Sequence, residues 1–78
     1  MQENTEIHIG NIICEHLKTE GRSKKWLAER VNYTHSALCK VLKNKSIHTD
    51  MLLRISIACK YNFAEHISNY YNANFGNQ

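Results

Sequence analysis

Ser23–Lys45 reads SKKWLAERVNYTHSALCKVLKNK, and its reading decides the fold. Ser23 is a good N-cap for a short helix over Lys24–Val31, with Trp26, Leu27 and Val31 able to face inward. Asn32 follows, and asparagine tolerates positive φ, so the chain can turn tightly there. Thr34 caps a further helix reaching about Lys43, with Leu38, Val41 and Leu42 on its buried side. Leu27, Ala28 and Val31 can mesh with Leu38 and Val41, and Ala28 is small where the two helices approach.

Upstream, Ile9, Ile12, Ile13, His16 and Leu17 recur at helical spacing and predict a first helix that Gly21 stops in the left-handed region. Downstream, NKSIHTD reads as a loop in which Thr49 or Asp50 caps a fourth helix, MLLRISIACKY. Its apolar residues cover more than half the circumference: Met51, Leu52, Ile55, Ala58 and Cys59 on one side, Leu53 and Ile57 on another. That pattern predicts a central helix touching several others. A short last helix, Phe63–Ser68, closes the bundle through Phe63 and Ile67, and Arg54 pairs with Asp50 at helical spacing. Without proline and with three glycines, the chain has almost no hairpin chemistry. The expected fold is all-α: one compact domain of about five short helices over residues 1–78, with its core at about 7–68 and frayed ends at 1–6 and 69–78.

At 78 residues the chain is too short for two self-sufficient cores, and 42% hydrophobic content argues against disorder. Three scattered cysteines do not suggest a secreted disulfide framework and fit a reducing cytosol. No stretch reaches the roughly 18 apolar residues of a membrane span, and the N-terminus lacks a signal pattern, so a soluble cytoplasmic protein is expected, with no membrane partner. The net charge of +3 is modest, yet seven of the ten Lys and Arg residues lie between Arg22 and Lys45, and no Asp or Glu interrupts from Arg30 to Lys45.

Two short helices joined by a three- or four-residue turn, the second presenting polar and basic groups beside an apolar seam, match the helix-turn-helix description. Such a pair suits the major groove of B-DNA, where one helix reads base edges and its partner crosses the backbone. The residues resemble a family, the lambda-repressor-like (Cro/C1, XRE-type) helix-turn-helix domains. The resemblance is carried by Ile9-Gly10, by GRSKKWLAERVNYTHSALCKVL at Gly21–Leu42 and by TDMLLRISIACKY at Thr49–Tyr61. It spans roughly Ile9 to Ile67. Where the family usually has glycine in the turn, this chain has Asn32. Where it often has glutamine after the capping serine, Lys24 stands and favours a phosphate contact by point charge.

The resemblance implies a sequence-specific binder of double-stranded DNA, a nucleoid-associated transcriptional regulator that acts as a homodimer. By position, His35, Ser36, Ala37, Cys39 and Lys40 match the base-facing residues. Lys24, Lys25, Lys43 and Lys45 are candidate phosphate clamps, with Thr34 and Asn44 as neutral hydrogen-bonding partners. The fifth helix and the aromatic tail of Tyr70, Tyr71 and Phe75 are candidates for the dimer contact. The rival reading is a protein-interaction module of the same fold, antitoxin-like or partner-binding.

Bland readings stand beside these. A lysine run is ordinarily a solvated helix face, and Trp26 beside Leu-Ala on an amphipathic helix is ordinarily core. Cys14 and His16 lie on different helix faces and no Cys-x-x-Cys or His-x-x-x-His occurs, so no metal or other cofactor is expected. Cys59 reads as a core thiol and Cys39 as an exposed one. Glycine-rich phosphate loops, nucleophile elbows and paired carboxylates are absent from the sequence, which gives no support to an enzyme.

Overall fold

Helix starts and stops account for most of the backbone. The computed structural model describes residues 7–76, and over them five helices follow in order: α1 (Ile9–Thr19), α2 (Lys24–Arg30), α3 (His35–Lys43), α4 (Thr49–Cys59) and α5 (Ala64–Phe75), with no strand. Side chains cap the first three. His8 Nδ1 accepts from the Asn11 N–H at 3.1 Å, Ser23 Oγ from Trp26 N–H at 3.0 Å and Thr34 Oγ1 from Ala37 N–H at 3.1 Å. Each bond satisfies an N–H that a helix start otherwise leaves open.

Three helices end alike. After α1, α2 and α4 the chain passes through the left-handed region at Gly21 (φ 70), Asn32 (φ 63) and Lys60 (φ 54). In each case the next residue, Arg22, Tyr33 or Tyr61, donates its N–H back to Leu17, Ala28 or Ser56 at 2.8 to 3.0 Å. That closure satisfies the last carbonyls and reverses the chain within two residues. The connection from α2 to α3 is therefore four residues, Val31–Thr34, with Val31 buried beneath it.

The core is Ile9, Ile13 and Leu17 from α1, Leu27, Ala28 and Val31 at α2, Leu38 and Leu42 from α3, and Met51, Leu52 and Ile55 from α4, closed by Phe63. One contact in it involves no side chain. Gly10 in α1 lies against the last turn of α3 so closely that a Cβ there would overlap the carbonyl of Leu42, and the Ile9 N–H donates to the Lys45 carbonyl at 3.3 Å. The Ile-Gly pair thus brings two backbones together, which only glycine permits.

Four expectations need correction. α4 begins at Thr49 after His48, and neither Thr49 nor Asp50 caps it; its start has no side-chain cap. α4 is not enclosed, because Leu53 and Ile57 are 58% and 66% exposed, so it buries one stripe only. Helix α5 runs on to Phe75, well past Ser68, held in its last turns by Asn74 Nδ2 donating to the Tyr70 carbonyl at 2.9 Å and by Tyr71 against Phe75. Ile67 does not close the bundle: it is 44% exposed, and α5 carries no buried residue. Phe63, the residue before α5, makes the closure instead, packed edge-on to Tyr61 and His16 with centroids 4.8 and 5.2 Å away. Of the ends expected to fray, 1–6 and 69–78, residues 69–75 are helical in α5, while 1–6 and 77–78 lie outside the described residues.

Candidate functional site

On α3, Leu38 and Leu42 face the core with Val41 packed beside them, and Lys40 points away from it. Ser36, Lys40 and Lys43, spaced at i, i+4 and i+7, are exposed and form one outward stripe. His35 is exposed at the first turn beside it. Ala37 and Cys39 are half-buried at the flanks, so Cys39 is less open than its expected exposure. Its thiol lies 3.6 Å from His35 Nε2, one turn back.

The candidate phosphate contacts spread around this stripe. Lys24 and Lys25 occupy the exposed first turn of α2, and neither α2 nor α3 has an acidic residue in its first turn. Lysines at a helix start oppose the helix dipole, an arrangement that folding alone does not favour and that a bound anion would offset. The Thr34 hydroxyl oxygen is used in capping α3 and its proton remains available to an outside acceptor. Asn44 follows the last turn of α3, its N–H donating to the Val41 carbonyl at 3.1 Å. Lys45 stands apart. It lines a separate groove with Ile7, Ile47 and Ile67, on the side of α1 and α5.

His48 is not marked out by the sequence, yet it lines a hollow with Tyr33, Thr49, Asp50 and Arg54 where the α2–α3 turn meets the uncapped start of α4. The sequence carries no signal for it, because Thr49 and Asp50 both read as caps. Arg54 Nε lies 3.2 Å from Asp50 Oδ2, the expected pair, and with both side chains more than half exposed it adds little stability.

Trp26 is half-buried against the core, and its ring lies under two guanidinium groups, Arg22 at 4.1 Å and Arg30 at 5.0 Å from the centroid. Burial raises the Cys59 thiol above its ordinary value; Arg22 nearby works against that and Glu20 adds to it. Among the described residues no group of three or more His, Cys, Asp or Glu stands together as a metal site, and no helix is long and apolar enough to cross a membrane.

No family model matches the chain, and no curated protein and no solved structure is significantly similar to it.

Proposed function

We propose that α2 and α3 act as a helix-turn-helix of the lambda-repressor-like kind and that the protein binds double-stranded DNA as a transcriptional regulator. The observation that carries this reading is the Ser36, Lys40 and Lys43 stripe, which faces outward from a helix held on both sides by α1 and α2 with no acidic residue near it in sequence. In this reading α3 enters the major groove. Lys40 donates to guanine acceptors, Ser36 and His35 bond base edges at the first turn, and the methyl of Ala37 meets a thymine methyl. Lys24, Lys25 and Lys43 neutralise phosphates, with Thr34 and Asn44 around them and His48 and Thr49 extending the set.

So small a reading surface binds weakly alone, so two copies engage half-sites about one helical turn, or roughly 34 Å, apart. The test is affinity for duplex DNA at several salt concentrations, beside Lys40→Ala and Lys43→Ala. The expected result is a log K that falls with log salt and a slope shallower by about one for each lysine that contacts phosphate. Salt-independent binding, or indifference to both substitutions, would overturn it. A second reading, a protein-interaction module of this fold, is favoured by the exposed Leu53 and Ile57 of α4, which no helix among the described residues covers.

A further inference from the structure

A hollow of about 210 Å³ opens where the C-terminal ends of α1 and α4 meet Trp26 and Arg30 of α2 and Arg22 of the α1–α2 loop, and no residue of α3 lines it. Leu17, Ala58 and Cys59 form its apolar side. Three cationic heads border it, those of Arg22 in the α1–α2 loop, Arg30 at the end of α2 and Lys60 just after α4. Among the described residues no carboxylate lies within ion-pair distance of any of them, since the ion pairs there are Lys18 with Glu15 and Arg54 with Asp50. Glu20 also borders the hollow, which leaves a formal surplus of two positive charges. The nearby ends of α1 and α4 contribute roughly half a negative charge each, and the hollow stays positive.

The Trp26 ring makes this more than a charged face. Arg22 from the α1–α2 loop and Arg30 from the end of α2 both lie over it, and the ring holds both guanidinium groups in place before any ligand arrives. Such preorganisation lowers the entropy lost on binding. Charges here are felt across the hollow, because Arg22 and Glu20 both act on the Cys59 thiol.

We propose that this hollow is a binding site for the phosphate monoester of a small metabolite, separate from the α3 surface and independent of its role. Three donors from two sides suit a group with three equivalent oxygens, where a carboxylate offers two, and arginine's planar fork matches phosphate. The organic part of the ester rests against Leu17, Ala58 and the edge of Trp26.

Trp26 is the only tryptophan in the chain, so its fluorescence reports on the site directly. The intact protein is titrated with phenyl phosphate, with inorganic phosphate and with phenol, at an ionic strength held constant with NaCl. A saturable change is expected with phenyl phosphate and, more weakly, with inorganic phosphate, and none with phenol. Arg30→Gln and Lys60→Gly should each weaken phenyl phosphate binding at least tenfold, while Lys40→Ala leaves it unchanged. Lys60→Gly is the safer variant, because it removes a charge at a left-handed position that suits glycine. The proposal fails if the phosphate curves match the phenol control, if both variants bind as the parent does, or if duplex DNA alone produces the saturable change.

Discussion

The α2–α3 pair and the α4–α5 pair are built from similar helices and finished differently. In the first, two hydroxyl caps start the helices, a left-handed Asn32 joins them, and the outward residues are polar or basic. In the second, α4 starts without a side-chain cap and α5 receives one only from outside, where Asn62 Oδ1 accepts from the Ala64 N–H at 3.1 Å. Leu53, Ile57, Ile67 and Tyr71 stay exposed there. The first pair is complete as a surface for water or a polyanion. The second leaves apolar area that a second chain would cover, which is where the homodimer of the proposed function would form.

The sharpest break in that contrast is at Phe63, the fully buried residue that ties α5, which buries none of its own, to the core. Phe63→Ala should cost about 3–5 kcal/mol, read by urea unfolding followed by circular dichroism. A loss under about 1 kcal/mol would mean that α5 is not anchored through this ring. On the finished side, Thr34→Ala removes the α3 cap and should cost about 1 kcal/mol, a drop of about 4–8 °C in Tm for a domain of this size. An unchanged Tm would show that the cap is not what starts α3.

Lys60→Gly should move the other way, by about 0.5–1 kcal/mol, because lysine at φ 54 is strained where glycine is not. If it destabilises instead, the turn after α4 depends on the lysine side chain. Leu53→Glu with Ile57→Glu should change monomer stability by no more than about 0.5 kcal/mol while abolishing self-association in sedimentation velocity. Should the double variant unfold, the α4 face is packed and the contrast between the pairs collapses.

The smallest effect expected is at Cys59. Its folded value is raised above the ordinary 9.0, so the neutral thiol is the stabilised form. The stability it gives is complete below pH 9 and is lost as pH climbs through the raised value. Cys59→Ser should flatten that alkaline decline in a series of Tm measurements; an identical decline in the variant would assign it to other groups.

Much of this was legible where side chains bond to their own backbone. Ser23 and Thr34 cap as read, and Gly21 and Asn32 turn as read, because these residue types have a local reason to sit there. Lys60 was not legible: lysine has no preference for the left-handed region, and packing of Tyr61 and Phe63 against His16 holds the turn. The length of α5 was hidden by its asparagines, poor helix formers singly, whose cost is offset by one side-chain bond and the aromatic pairs along the helix. Periodicity also overstated α4. It counts apolar residues around a helix and cannot tell an inner face from one that a partner would cover. Trp26 packs against the core as its position implies, while periodicity carries no sign of the two arginines, four residues to either side, whose guanidinium groups lie over its ring.

Gly10 sets more than a close approach. Because α1 meets the end of α3 backbone to backbone, the tilt of α3 is gauged by main-chain thickness, a length that no rotamer can change. Substitutions elsewhere in the core can therefore drift through many combinations of volume, raising or lowering stability, while the outward stripe keeps its aim. A change at Gly10 would act oppositely, turning α3 like a shim placed under one end of a beam.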